Sequence, residues 1–182
     1  MIKKQAFTLA EVLITLTIVG VIAALTIPNL LQKYQEQATV KKVQKFYSNL
    51  SNAYSLAMKE NGSANEWETP NNSKGATEIY NLLFKPYFKI AKNCGFSEKA
   101  NCIKNGAYKL LNNEETYNYG TNSRYYKIAL DDGSAVWFRG ETATTTLTVF
   151  YDVNGYKEPN QWGKDLFDFD IKNDKVFPTG LQ

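Results

Sequence analysis

Residues 7–14 read Phe-Thr-Leu-Ala-Glu-Val-Leu-Ile and open an apolar run that extends to Ile27 with a single acidic side chain, Glu11. As a helix, these 21 residues would be about 32 Å long, close to the thickness of the hydrocarbon core of a bilayer. A carboxylate inside such a segment costs about 2.5 kcal/mol or more unless it has a partner, so it indicates a function. The preceding Lys3 and Lys4 predict that the N-terminus stays on the cytoplasmic side of the membrane.

This opening resembles the class III signal peptide of type IV pilins and type II secretion pseudopilins. In those proteins a short basic leader precedes Phe-Thr-Leu-Ile-Glu, or a near variant, and an apolar helix. The resemblance implies that a prepilin peptidase cuts between Ala6 and Phe7 and methylates the new amino group of Phe7, which makes Glu11 the fifth mature residue. Gly20 and Pro28 lie where pilins carry helix-weakening residues, which implies either a simple kink or local melting during assembly. The chain departs from the usual pattern in having Ala for Gly before the cut and Ala for Ile before the glutamate.

The resemblance implies a structural subunit, a pilin or pseudopilin of a type IV pilus or type II secretion pseudopilus. The partners it implies are prepilin peptidase, copies of the chain or other pilins, and an inner-membrane assembly platform. The implied location is the bacterial inner membrane, as a single pass with a cytoplasmic N-terminus, and then a periplasmic or extracellular filament. In that filament the Glu11 carboxylate of one subunit would pair with the Phe7 amine of its neighbour and set the axial register.

Three other interpretations of the N-terminus compete with this one. A Sec signal peptide would use Lys3 and Lys4 as its basic region and cleave near Val21-Ile22-Ala23, but an acidic residue in its apolar core would be unusual. A plain membrane anchor has no need of the acidic residue, and a lipoprotein signal needs a cysteine that the run lacks. An envelope binding module for DNA or a surface ligand could also use the same helix as its anchor.

Enzymatic activity is not expected, and no small-molecule substrate is predicted. The sequence contains no His, so Ser-His and Cys-His nucleophile pairs are impossible. It also lacks the GxSxG and GxxxxGK[ST] patterns. Energy for filament extension must therefore come from another protein.

The expected fold class is α+β, with a long N-terminal helix whose second half packs on a small antiparallel sheet. The helical period continues beyond Pro28 and becomes amphipathic, and Asn61-Gly62 is suited to a helix end. The apolar positions of this amphipathic part recur at spacings of three and four: Leu30, Leu31, Tyr34, Ala38, Val43, Phe46, Tyr47, Leu50, Ala53, Tyr54 and Ala57.

The predicted organisation is a leader over 1–6, a membrane-spanning helix over 7–28, its amphipathic continuation over 29–60, and a globular head over 61–182. Within the head, a short helix is predicted over 76–92, kinked or split at Pro86, and an antiparallel sheet over about 106–178. Asp131-Asp132-Gly133 predicts a hairpin turn. The four predicted strands are Tyr125 to Leu130, Ser134 to Arg139, Thr144 to Asp152 and Leu166 to Ile171.

Cys94 and Cys102 are the only cysteines and lie eight positions apart. In the envelope compartment that the resemblance implies, they are expected to form a disulfide, with two free thiols as the alternative. Closing such a short loop would stabilise the protein by roughly 2–3 kcal/mol. Metal binding by this pair is disfavoured because the chain offers no His and no further Cys.

Charge argues against a nucleic-acid partner. Removal of the leader deletes Lys3 and Lys4 and leaves 19 basic and 18 acidic side chains, a balance too close to zero to attract polyanions. The aromatic residues Tyr117, Tyr119, Tyr125 and Tyr126, with Arg124, could stack on single-stranded DNA, but such residues more often pack within a sheet. DNA therefore stays a minor alternative.

One sequence feature allows a calcium ion. Asp152-Val153-Asn154-Gly155, followed by Asp165, places Asp152, Asn154 and Asp165 in an oxygen-rich segment, and major pseudopilins have a C-terminal calcium loop. The pattern lacks the regular ligand spacing and closing Glu of an EF-hand, and an ordinary Asx-type turn between strands is the favoured interpretation. No other cofactor is predicted.

Overall fold

The structure is a computed structural model that describes the chain in five stretches: residues 8–67, 70–97, 99, 101–140 and 147–179. The chain divides into two compact units, the first ending at Ala38 and the second beginning at Thr39. The α+β class predicted from the sequence is confirmed, because a long N-terminal helix precedes a six-stranded antiparallel sheet.

The N-terminal helix, α1, covers Leu9–Asn61 and includes Pro28. It ends where the sequence predicts. Gly62 has a φ of +77°, in the left-handed region that favours glycine, and its N–H donates to the carbonyl of Met58 at 2.9 Å. After α1 the chain forms a short 3₁₀ turn (Ala64–Glu66), then α2 (Ser73–Ile79), which continues into a π-helical turn (Tyr80–Phe84).

The sheet is a meander in which each strand pairs with the next strand along the chain, and every pairing is antiparallel. Such an order needs only local connections between strands. The strands are β1 (Ile90–Gly95), β2 (Tyr126–Leu130), β3 (Ala135–Phe138), β4 (Leu147–Asp152), β5 (Leu166–Lys172) and β6 (Lys175–Thr179).

One face of the sheet packs on the second half of α1 and on α2. The ring of Phe46 lies parallel to that of Tyr151, with centroids 3.9 Å apart, and Phe84 stacks on Phe138 at 4.4 Å. Side chains alternate across a strand, so Val136 and Phe138 of β3 both reach this face. The α1 residues buried here share the predicted spacing of three and four: Phe46, Leu50, Ala53, Tyr54 and Ala57.

The opposite face of the sheet is also buried. It is covered by the long connection between β1 and β2, residues 96–125, whose Tyr108 and Tyr119 rings pack against Trp137 of β3. A disulfide between Cys94 and Cys102 ties this connection to the end of β1, as predicted. Because both faces are covered, all four residues of β3 are buried.

Two boundaries predicted from the sequence differ from the structure. The helix predicted over 76–92 begins at Ser73, its helical residues end at Phe84, and Ile90 belongs to β1. Pro86 therefore follows the helix and does not kink it, as expected for a residue that cannot continue the helical hydrogen bonds. Ile90 leaves the helical pattern because it pairs with β2, which a local pattern does not reveal.

The sheet predicted over about 106–178 starts earlier and is interrupted. β1 precedes that range, and residues 106–125 contribute no strand, only isolated bridges such as the one between Lys109 and Glu115. This stretch instead covers part of the face of the sheet opposite α1, which is called the second face below. Its aromatic side chains pack onto that face from a loop and not from a strand.

Replacing both cysteines, Cys94→Ser with Cys102→Ser, is expected to lower the free energy of unfolding by about 2–3 kcal/mol, because the unfolded chain regains the entropy that the closed loop removes. Chemical denaturation of the full chain measures this change. Reduction of the wild-type protein should produce the same loss and should leave the double variant unaffected. Equal stability of oxidised and reduced wild-type protein would contradict the expectation.

Asp168 makes stability depend on pH. It lies opposite Phe150 on the second face, where burial, and then the carboxylate of Asp170, raise its pKa to about 6. A raised pKa favours the protonated form in the folded state, so the stabilisation is complete below about pH 4 and is lost as pH rises through about 6. Asp168→Asn is therefore expected to gain roughly 1 kcal/mol over wild type at pH 7.5 relative to pH 4, after allowance for partial exposure.

Denaturation curves at the two pH values measure the Asp168 effect. Asp131→Asn, at an exposed position in the β2–β3 turn, is the matched control and should show little difference between them. A gain for Asp168→Asn that is as large at pH 4 as at pH 7.5 would assign the effect to packing, not to ionisation.

Candidate functional site

The first half of α1 presents its apolar side chains to its surroundings. Leu13, Ile18 and Leu25 are 55–68% exposed, and an 18-residue window of the helix has a mean hydropathy of 2.3 with none of its residues buried. Among the described residues, α1 is the one helix long and apolar enough to cross a membrane. The predicted cleavage positions, Ala6 and Phe7, lie outside the described residues.

Glu11 lies in the first turn of this helix and forms a capping box with Thr8. The Glu11 Oε2 atom accepts the backbone N–H of Thr8 at 2.8 Å, and the Thr8 hydroxyl oxygen lies 3.3 Å from the Glu11 backbone nitrogen that donates to it. These reciprocal bonds satisfy two N–H groups that every helix start leaves without an intrahelical partner. The pattern Thr-x-x-Glu before an apolar run is the sequence signal for this cap.

The cap engages only one oxygen of the carboxylate. The Thr8 hydroxyl also donates to Glu11 Oε2, at 2.9 Å, so both bonds from Thr8 reach the same atom. No hydrogen bond reaches Oε1 within the part of the chain that the structure describes. The arrangement can therefore solvate the carboxylate within its own chain and still present one oxygen to a further donor.

The two helix-weakening residues lie within α1 without interrupting it. A Cβ added to Gly20 would meet nothing within 4 Å. Near Pro28, the Thr26 hydroxyl donates to the carbonyl of Ile22 at 2.8 Å, and the Asn29 side-chain amide donates to that of Leu25 at 3.2 Å. Local melting between Gly20 and Pro28 remains a prediction.

The predicted oxygen-rich residues do lie together, at the base of the connection between β4 and β5. Asp152 is fully buried, and its Oδ1 accepts the backbone N–H groups of Asn154 and Gly155 at 3.0 and 2.8 Å. Its Oδ2 accepts the phenol of Tyr108 at 2.8 Å. Burial raises the pKa of Asp152 to about 7 and also raises that of Tyr108, so the phenol remains a donor.

Asp165 occupies a similar environment at the other end of the connection. Its Oδ1 accepts the backbone N–H of Gln161 at 2.6 Å, and its Oδ2 accepts that of Asn160 at 2.7 Å. The side-chain amide of Asn154 donates to the same Oδ2 at 3.3 Å, which joins two of the predicted residues directly. Burial raises the pKa of Asp165 as well.

Donors of the protein already contact the carboxylate oxygens of this cluster. Every carboxylate oxygen of Asp152 and Asp165 accepts at least one N–H or O–H donor from the protein. Two buried amide oxygens, Asn154 Oδ1 and Asn160 Oδ1, have no hydrogen-bond partner among the described residues, but they are neutral ligands. In the same residues, no group of three or more His, Cys, Asp or Glu side chains could hold a metal ion. The calcium site stays an untested prediction.

The tyrosines considered for DNA stacking are mostly interior. Tyr119, Tyr125 and Tyr126 are 5–8% exposed and pack against other rings, whereas Tyr117 is 70% exposed. A stacking platform needs accessible ring faces, which only Tyr117 of the four offers. Packing within the head therefore accounts for the cluster.

A groove of about 620 Å³ lies between the second half of α1 and the turn before β1. Its lining includes aromatic rings, the three lysines Lys42, Lys45 and Lys89, and the two aspartates Asp131 and Asp132. None of the three lysines forms an ion pair with another described residue, although Lys42 donates to a backbone carbonyl. The groove therefore carries side chains of both charges.

Comparison with known proteins gives two matches, which together cover most of the chain. Residues 29–176 match a family model described as a family of unknown function (DUF6613), and residues 1–27 match the prokaryotic N-terminal methylation motif. No curated protein and no solved structure matches the chain significantly. The first match covers more than half of the sequence, and the second contains the residues on which the pilin resemblance rests. The chain thus belongs to the family of unknown function DUF6613 and begins with the methylation motif of type IV pilins and pseudopilins.

Proposed function

We propose that the chain is a structural subunit of a type IV pilus or type II secretion pseudopilus, assembled through its N-terminal helix. The observation that carries this proposal is the methylation motif at residues 1–27, which includes the start of α1, where the apolar side chains are exposed and Glu11 is the one acidic residue before Pro28. A motif of this kind serves processing and assembly rather than chemistry on a substrate.

The partners follow from the chemistry of this segment. A prepilin peptidase would cut between Ala6 and Phe7, which lies directly before the capping residue Thr8. The apolar first half of α1 would hold the mature chain in the inner membrane, with its N-terminus cytoplasmic, until an assembly platform transfers it to the filament. There, helices of other subunits would replace lipid around the same apolar side chains.

Glu11 would set the position at which the chain joins its neighbour in the filament. In the single chain its Oε2 is bound by Thr8, while Oε1 has no partner among the described residues. The amine of a neighbouring Phe7 would meet this free oxygen and neutralise a charge that is expensive in lipid. A capping box therefore makes the carboxylate tolerable in the membrane, and assembly completes its solvation.

The runner-up function is an envelope binding module anchored by the same processed helix, acting in adhesion or DNA uptake. It is supported by the groove beside α1, which three lysines and two aspartates line. The burial of three of the four candidate stacking tyrosines weighs against DNA as its ligand. A Sec-secreted globular protein, the third alternative, leaves the methylation motif without a role.

Processing predicts a defined mass. The mature protein extracted from membranes is expected to begin at Phe7 and to carry one added methyl group on its amine. Intact-mass measurement with sequencing of the N-terminal peptide checks both features, and a host without the peptidase should yield the uncut chain as the control. An N-terminus near Ala24 would instead support Sec cleavage and contradict the proposal.

Assembly is expected to depend on the charge of Glu11. Glu11→Gln keeps a hydrogen-bond acceptor for Thr8 but removes the charge, so it should reduce filament yield at least about tenfold, the loss expected from about 1.4 kcal/mol of intersubunit attraction. Sheared filaments quantified against total mature subunit provide the measurement.

Glu36→Gln is the matched control, because Glu36 is an exposed glutamate on the same helix that accepts a side-chain hydrogen bond from Gln32. It should assemble normally. The proposal of an electrostatic register fails if Glu11→Gln is processed, reaches the membrane at the wild-type level and assembles as well as Glu36→Gln.

A further inference from the structure

The connection between β4 and β5, here called the 152–165 segment, has a buried carboxylate at each end. Asp152 is 0% and Asp165 is 3% exposed. Each of the two side chains accepts three hydrogen bonds, and four of the donors are backbone N–H groups of the segment itself. Charged or partly charged oxygens are thus solvated by the protein in place of water.

This arrangement competes directly with a cation. Calcium needs six to eight oxygen ligands whose lone pairs point at the ion. At Asp165, amide hydrogens from Asn160 and Gln161 approach the two oxygens, with nitrogens 2.7 and 2.6 Å away. These donors belong to the backbone and cannot rotate away as a side chain could. They place partial positive charge beside the oxygens that a cation would have to contact.

The 152–165 segment is also joined to the cover over the second face of the sheet. Tyr108, which is fully buried, donates its phenol to Asp152 across 44 positions of sequence. Beside it, the Lys109 backbone N–H donates to the carbonyl of Asn160 at 3.0 Å, and the Gln161 side-chain amide donates to that of Leu110 at 2.7 Å. Asp152 therefore joins the segment to the 96–125 connection through Tyr108, and two further hydrogen bonds join the same two loops.

Close backbone packing fixes the segment further. Gly155, whose N–H donates to Asp152, has a φ of +65°, and a Cβ at this position would lie 2.7 Å from the carbonyl oxygen of Gly133 in the β2–β3 turn. Gly155 is thus held between Asp152, to which it donates, and the β2–β3 turn, which it closely approaches.

We propose that the 152–165 segment is closed by Asp152 and Asp165 without a metal ion, and that Tyr108 is the positioning residue that fastens it to the 96–125 connection. The protein's own N–H and O–H donors take the place that a cation has in a calcium loop. This proposal does not depend on the proposed filament function, because it concerns the folded head alone.

The first test measures the thermal unfolding of the mature full-length chain in detergent micelles, with either calcium chloride or a calcium chelator. The expected Tm difference between the two solutions is below about 1 °C, since a ligand that binds only the folded state would raise Tm. Trypsin cleavage after the exposed Lys157, within the segment, should also be equally slow in both solutions. A calcium-dependent rise of more than about 2 °C, or faster cleavage in chelator, would overturn the metal-free closure.

The second test removes the phenol of Tyr108. Tyr108→Phe leaves a buried carboxylate oxygen without its donor, so Tm should fall by about 5 °C, and cleavage after Lys157 should accelerate at least about fivefold. Tyr117→Phe, in the same connection but 70% exposed, is the matched control and should behave as wild type. Wild-type cleavage in Tyr108→Phe would overturn the positioning role. If that variant does not fold, the wild-type calcium comparison still decides the metal-free closure.

Discussion

An apolar helix surface that no described part of the chain covers is the constraint on which the rest of the protein depends. In the first half of α1, side chains such as Leu16 and Val19 are more than 60% exposed. Each such side chain loses about 1.5–3 kcal/mol relative to burial if it faces water. The segment therefore requires lipid or other apolar helices, and a filament subunit encounters both in turn. A basic leader, a membrane-length run and a methylation motif are consistent with that sequence of surroundings.

The second compact unit, from Thr39 onward, satisfies its own apolar surface. One face of its sheet is covered by α1 and α2, and the other by the 96–125 connection, which the disulfide anchors to β1. Residues of α1 from Phe46 onward belong to this core, whereas those before Ala38 do not. Within this one helix, the later residues complete the core of the head, and the earlier residues stay exposed.

Features set by neighbouring residues could be predicted from the sequence, and features set by distant ones could not. The end of α1 at Gly62 and the Asp131-Asp132-Gly133 hairpin depend on local backbone conformation, which the residue types reveal. Ile90 fits a helical period as well as a strand, and its pairing with β2, forty positions later, decides between them. The Asx-type turn at Asp152, whose Oδ1 accepts the N–H groups of Asn154 and Gly155, is local and was predicted, whereas the donor Tyr108 comes from a distant stretch with no regular structure and was not.

The same distinction applies to the two acidic features that the sequence singled out. Glu11 is a charge within an apolar run and Asp152 belongs to an oxygen-rich turn, and their environments in the structure differ. Asp152 receives bonds to both of its oxygens from within the head, and burial raises its pKa to about 7. Glu11 receives bonds to one oxygen only, and they come from the neutral donors of Thr8 in its own first turn. A carboxylate with one unbonded oxygen in an apolar segment favours association with a cationic group, whereas one whose two oxygens accept donors from the head favours order within the chain. By this criterion Glu11 is suited to contacts between subunits, and Asp152 to the architecture of the head.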